Sequence, residues 1–143
     1  MHVSVLVPTY NRADFIGATL TALLGQTHPP QEIVIVDDGS TDNTASVVAS
    51  FDHPSIRYIE STNGGCTAAR QKALEHASCD WIAFCDSDDL WEPDRLALQA
   101  RLIDLHPVDF AFSNFRVVRG DRWEERTKFD DAPAGYWEGL QEL

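Results

Sequence analysis

DWIAFCDSDDLWEPDRL, residues 80–96, joins an apolar run, WIAFC, to three carboxylates, Asp86, Asp88 and Asp89, within four positions. A short apolar run bounded by turn-forming residues reads as a buried strand, so the acids stand at a strand end. Carboxylates this close repel one another and have raised pKa values unless a divalent cation or a dense set of donors offsets their charge. Oxygen-only ligands favour Mg²⁺ or Mn²⁺. Mg²⁺ is usually held by one or two carboxylates together with substrate phosphates, so the segment reads as half of a metal–diphosphate site. A structural alternative stands beside this one: Asp88 or Asp89 caps the helix that begins near Pro93.

Outward from this segment, short Val- and Ile-rich runs alternate with stretches of helical period, the pattern of a parallel sheet built through helical crossovers. Strands are expected over 3–7, 32–36, 56–59 and 81–85. Ile16, Leu20, Leu23 and Leu24 share one face of a first helix, which Gln26-Thr27-His28-Pro29-Pro30 ends. A second helix over 43–51 is capped by Thr41 or Asp42, and a third runs from about Thr67 to Ala77 after Asn63-Gly64-Gly65. A fourth, over 93–105, opens on Pro93 and carries Leu98, Leu102 and Leu105 on one stripe. Past Pro107 the pattern changes to a hairpin turning at Arg119-Gly120-Asp121-Arg122, with a return strand from Trp123 to Thr127.

The 143 residues, 43% hydrophobic, suit one α/β domain with a real core. A net charge of −12, with Lys72 and Lys128 the only lysines, argues against nucleic acid as a partner. An anionic ligand would have to arrive with its own metal. Cys66, Cys79 and Cys85 are odd in number and lack zinc-type spacing, which suggests reduced thiols and a cytoplasmic compartment. No run approaches the length of a transmembrane segment.

In an open α/β sheet, ligands bind beyond the carboxyl ends of the strands. Pro8-Thr9-Tyr10-Asn11-Arg12, Asp37-Asp38-Gly39-Ser40, Asn63-Gly64-Gly65 and Asp86-Ser87-Asp88-Asp89 each follow a strand. Each alone has an ordinary reading as turn or packing. Their shared placement favours a binding rim.

VSVLVPTYNR, IVIVDDGSTDNT, NGGCTAAR and AFCDSDDLWEP resemble, in order and spacing, motifs of the family-two inverting glycosyltransferases of GT-A fold, over roughly residues 3–105. The resemblance implies a GT-A, Rossmann-like, mostly parallel sheet flanked by helices. It divides the chain into a nucleotide-diphosphate-sugar-binding region, 1–105, and the start of a shortened acceptor-side region, 106–143. It assigns the base contact to Asp38, usually with uracil, whose ring N–H a carboxylate can accept. Pro8 and Tyr10 then lie against base and ribose, with Thr9, Asn11, Asn63 and Ser87 in the same donor site. Arg70 falls near the diphosphate, where a guanidinium makes paired, charge-assisted bonds. Asp86-Ser87-Asp88 looks like the family's Asp-X-Asp motif: Asp88 would coordinate Mn²⁺ or Mg²⁺, Asp86 is a second candidate ligand that also meets the ribose, and Asp89 supports or caps.

The implied reaction is a metal-dependent, inverting transfer from a nucleotide-diphosphate sugar, UDP-linked by expectation, to a hydroxyl of a carbohydrate or lipid-linked acceptor in cell-envelope polysaccharide synthesis. It would take place in the cytoplasm and could do so at the inner face of the membrane. The catalytic base is not identified: Glu124, Glu125, Asp130 and Asp131 are available, but no segment matches the family's base motif. That leaves a non-catalytic nucleotide-sugar-binding or assembly module as the alternative. A phospho-receiver domain fits less well, because its acidic pair follows the first strand. Gly64-Gly65 is no dinucleotide fingerprint, and no P-loop lysine occurs.

Overall fold

The computed structural model describes residues 1–106 and 108–113 and the backbone of 118–119 and 122–123. The element order is β1 (Val3–Thr9), α1 (Ile16–Leu24), β2 (Glu32–Asp37), α2 (Thr44–Ala49), β3 (Ile56–Glu60), α3 (Cys66–His76), β4 (Trp81–Phe84) and α4 (Arg95–Leu105). A two-residue antiparallel pair follows, β5 (Val118–Arg119) and β6 (Arg122–Trp123). The four main strands are parallel, in the order β3-β2-β1-β4, as the α/β reading expects. Two compact units make up the chain, residues 1–100 and 101–143.

The central strands β1 and β2 are buried at every position, which is why they read as unbroken apolar runs rather than as an alternation. Val3, Val5, Val7, Ile33 and Ile35 pack with Ile16, Leu20 and Leu23 of α1, Val48 of α2 and Leu96 of α4. On the opposite face Leu6, Val34 and Val36 meet Ala69 and Ala73, whose small side chains let α3 lie close to the sheet. Each fully buried large aliphatic side chain contributes about 1.5–3 kcal/mol. β1 runs on through Pro8, beyond its last pair with β4, Leu6↔Phe84, so the missing proline N–H costs no ladder bond.

At the amino ends of the strands, Glu32 is buried, and its carboxylate accepts the Ser4 hydroxyl (2.6 Å), the Ser78 N–H (2.6 Å) and hydroxyl (2.9 Å), and Arg57 (3.2 Å). Burial pushes this carboxyl up, but the hydrogen bonds from Ser4, Ser78 and Arg57 outweigh it and hold the group below its ordinary value.

The leucine stripe of α4 is not its buried face. Leu98, Leu102 and Leu105 are 58%, 42% and 65% exposed, and the helix buries Leu96 and Ala100 instead. Its rotation is set at its first turn. The Leu96 N–H donates to Gln26 Oε1 (3.0 Å), and the Arg95 guanidinium lies 3.9 Å over the Trp91 ring. α4 also begins at Arg95 rather than Pro93. The hairpin is present in the pairs Val118↔Trp123 and Arg119↔Arg122, while the remainder of the expected return strand lies outside the described residues. No helix among the described residues is long and apolar enough to cross a membrane. Cys66, Cys79 and Cys85 are free thiols.

Candidate active site

The loops that leave the carboxyl ends of β1 to β4 surround one cavity of about 470 Å³. Pro8, Thr9, Tyr10 and Arg12 line it from the end of β1 and the loop beyond, and Asn63, Gly65, Cys66, Ala69 and Arg70 from the loop before α3 and its first turns. Asp38 contributes from β2, with Asp86, Ser87 and Asp88 from the turn after β4. Of the residues that the sequence assigns to donor and metal, all but Asn11 line this cavity.

Asn11 has a different job. It adopts φ 51°, donates its N–H to Ser40 Oγ (2.8 Å) and accepts the Thr41 N–H on its side-chain oxygen (2.8 Å). Asn tolerates the left-handed region better than most residues, which suits it to this turn. The Arg12 N–H donates to Thr44 Oγ1 (2.9 Å) and the Ala13 N–H to Asp42 Oδ2 (3.0 Å), so the loops after β1 and β2 are stitched together. Asp42 also accepts the Thr44 N–H (3.0 Å), but the N-cap position of α2 is Asn43, whose side chain makes no cap bond, so the cap expected of Thr41 or Asp42 sits one residue off.

The two aspartates after β2 divide their work. Buried Asp37 accepts the Ser40 N–H (2.7 Å) and the Tyr58 hydroxyl; burial, then this carboxylate, push the Tyr58 phenol up. Asp38, 4% exposed, accepts the Gly64 N–H (2.8 Å) on one oxygen and the Gly65 N–H (2.7 Å) on the other. It thereby holds the loop that starts α3. Gly65 sits at φ 87°, ψ 163°, a conformation essentially restricted to glycine. Each carboxylate oxygen keeps a lone pair, so Asp38 can still accept a donor from a ligand.

The turn after β4 answers the structural alternative raised by its acids. The Leu96 N–H in the first turn of α4 is taken by Gln26, not by Asp88 or Asp89. Asp86 instead pairs with Arg70 (2.5 Å) and Asp88 with Arg12 (3.5 Å). Asp89 is not a cavity residue, and its N–H donates to the Asp86 carbonyl (3.0 Å). Burial, then the charges of Asp86 and Asp88, push its carboxyl up. The cavity thus carries three carboxylates and two guanidiniums, an excess of one negative charge before any anion enters.

That donor set suits a hard divalent cation. No group of three or more His, Cys, Asp or Glu side chains among the described residues converges as a metal cage, so the acids after β4 supply at most part of a coordination shell. Such a shell is the kind that Mg²⁺ completes with phosphate oxygens and water. The Thr9 hydroxyl, on a residue that lines the cavity, is buried with no hydrogen-bond partner among the described residues. Arg12 and Cys66 are the cavity residues with chemistry that the sequence did not single out. Arg12 falls in the rim cluster Pro8-Thr9-Tyr10-Asn11-Arg12 without a role of its own in the sequence, and its ion pair with Asp88 supplies one.

The chain is similar to the putative teichuronic acid biosynthesis glycosyltransferase TuaG of Bacillus subtilis, 38% identical over 123 residues, covering 83% of this chain and 48% of TuaG. It is similar also to the UDP-Glc:α-D-GlcNAc-diphosphoundecaprenol β-1,3-glucosyltransferase WfgD of Escherichia coli, 32% identical over 120 residues, covering 83% and 47%. It therefore spans about half the length of these relatives. Among solved structures, S. aureus TarS 1–349 in complex with UDP-GlcNAc superposes with a TM-score of 0.70 at 36% identity, over 75% of this chain and 32% of that one. The pattern of the family described as Glycosyl transferase family 2 matches residues 4–139, and its agreement with the parallel sheet and the ordered rim motifs leaves one assignment: the chain belongs to glycosyl transferase family 2.

Proposed function

We propose that this chain forms the donor site of a transferase that moves a sugar from a UDP-linked donor, with a divalent cation and with inversion, to a hydroxyl of a carbohydrate or lipid-linked acceptor of the cell envelope. The reaction would be cytoplasmic, at the inner face of the membrane. One observation carries the reading: Asp38 after β2, Arg70 of α3, and Asp86 and Asp88 after β4 line a single cavity. Its volume lies in the range of about 300–1,000 Å³ typical of small-ligand sites. The UDP-GlcNAc bound by the similar TarS and the lipid-linked substrate in the name of WfgD support the choice of donor and acceptor class.

In this reading Asp38 accepts the uracil N–H while it holds the Gly64-Gly65 loop, and half-exposed Tyr10 offers a ring face to the base. Arg70 turns from Asp86 toward the diphosphate, because a guanidinium pairs with phosphate as readily as with carboxylate. A cation held by Asp88, with Asp86 beside it, would act as a Lewis acid on the leaving diphosphate. The acceptor hydroxyl then attacks the anomeric carbon from the opposite face and loses its proton to a base. The candidate carboxylates Glu124, Glu125, Asp130 and Asp131 lie outside the described residues.

The test is calorimetry of the 143-residue chain with UDP, UDP-GlcNAc, UDP-Glc and GDP, each with Mn²⁺ and with EDTA. The expected result is Mn²⁺-dependent binding of the uridine nucleotides. Equal affinity in EDTA and Mn²⁺, or no binding at all, would overturn the proposal.

A further inference from the structure

Arg12 is locked along its main chain and loose at its tip. Its N–H donates to Thr44 Oγ1 (2.9 Å), and its carbonyl accepts the Phe15 (3.0 Å) and Ile16 (2.9 Å) N–H groups at the start of α1. The guanidinium reaches an oxygen of Asp88 at 3.5 Å from Nε, while NH1 donates to the Asn11 carbonyl at 3.3 Å. From α3, Arg70 reaches Asp86 at 2.5 Å, a close hydrogen bond. Two of the three acids after β4 therefore each carry a guanidinium, one from the loop after β1 and one from α3, and the two pairs differ in kind. The Arg70 pair is directional. The Arg12 pair is coulombic contact at a distance too long for a strong hydrogen bond, between side chains 41% and 46% exposed. Such a pair is weak and exchanges readily.

We propose that Arg12 is the exchange counter-ion of Asp88: it neutralises this carboxylate in the ligand-free protein and releases it when a diphosphate offers the guanidinium an equivalent anion. Cation and nucleotide binding are then coupled through this side chain, in addition to the movement of Arg70 from Asp86 to the diphosphate. A divalent cation arriving alone must displace Arg12 from Asp88 and leave the guanidinium without a partner. A diphosphate arriving alone must draw Arg12 away and leave Asp88 uncompensated beside Asp86 and Asp89. Arriving together, each ligand takes the charge that the other frees. Arg12 is thus a positioning residue for the donor complex. The inference rests on the donor site proposed above.

The experiment is calorimetry on the full chain with Mn²⁺ alone, UDP alone, and Mn²⁺ in the presence of saturating UDP. In the parent, UDP should tighten Mn²⁺ binding. Arg12→Gln should bind Mn²⁺ alone about two- to fivefold more tightly, the range expected for a half-exposed ion pair, bind UDP alone more weakly, and show a smaller tightening of Mn²⁺ by UDP. Arg12→Lys, which keeps the charge, should restore most of the parent's behaviour, and matching thermal midpoints would show that both variants are folded. In an Asp88→Asn background, Arg12→Gln should leave Mn²⁺ binding unchanged. If Arg12→Gln retains the parent's Mn²⁺ affinity and coupling, or has the same effect with Asp88 removed, the assignment of Arg12 falls and the donor site stands. If the parent binds neither Mn²⁺ nor UDP, the donor-site reading fails and takes this inference with it.

Discussion

Replacing Asp38 with asparagine tests whether the residue assigned to the base is also the clasp of the loop beneath it. Asp38 is buried, and its two oxygens accept the Gly64 and Gly65 N–H groups at 2.8 and 2.7 Å. Hydrogen bonds to a charged group contribute about 1.5–3 kcal/mol each, so the pair is worth about 3–6 kcal/mol. The substituted amide would keep one neutral bond, worth about 1 kcal/mol, and turn its own N–H toward a backbone N–H. The expected loss of stability is about 2–5 kcal/mol, which for a chain of this size lowers Tm by about 6–17 °C. Urea unfolding followed by circular dichroism measures it directly, with the parent's m-value as a check that the transition is the same. Uridine binding should weaken as well, since the loop held by Asp38 forms one side of the cavity. A variant within about 0.5 kcal/mol of the parent would refute the clasp, because a change that small is typical of surface positions.

Asp88→Ala should change stability by less than about 0.5 kcal/mol, since the side chain is half exposed and outside the core, yet it should abolish the Mn²⁺ dependence of UDP binding; a variant that unfolds would make Asp88 structural. Glu32, held below the ordinary glutamate value of 4.5, contributes stability that is fully present above that value and is lost as pH falls through the lower folded value. The Glu32→Gln penalty should therefore be largest near neutral pH and shrink as pH drops below 4.5, and unfolding free energies that stay parallel to the parent's down that range would exclude the role. Burial, then the charge of Asp89, push the Cys85 thiol up to about 12, whereas Cys66 is exposed on the cavity wall. Iodoacetamide at about pH 8 should modify Cys66 first, more slowly with UDP and Mn²⁺ present, and equal labelling of Cys66 and Cys85 by mass spectrometry would contradict the described burial.

The parallel sheet is legible in the sequence because β1 and β2 are buried on both faces, so that VSVLV and EIVIV leave no polar alternation to misread. The rim is legible for a related reason: turn chemistry and acids cluster where each strand stops. The facing of α4 is not legible. Its spacing presents two apolar stripes, and the choice between them is made by Gln26, 70 residues away in sequence, and by Trp91 beneath Arg95. Asn11 and Arg12 show the same limit at the site. Neighbours in one motif, they part company through a left-handed turn that ties Asn11 to Thr41 and sends Arg12 toward Asp88. Side-chain direction at such a turn depends on contacts with a loop about 30 residues on, which no local pattern records.

Helix α1 acts as a spacer. At one end the Arg12 carbonyl receives the Phe15 and Ile16 N–H groups; at the other, Gln26 Nε2 donates to the Glu92 carbonyl (2.8 Å), Gln26 Oε1 accepts the Leu96 N–H, and the Thr27 N–H donates to the Pro93 carbonyl (2.8 Å). The turn that bears Arg12 and the segment just beyond Asp88 are thus fastened to opposite ends of one rod, about 13 Å long at about 1.5 Å per residue. Removing a single residue from it would swing Gln26 by about 100° and unhook the far fastening. Changes of side chain on its solvent face would leave both fastenings in place. The turn that bears Arg12 is therefore tied to the start of α4 by a helix that contributes no side chain to the cavity.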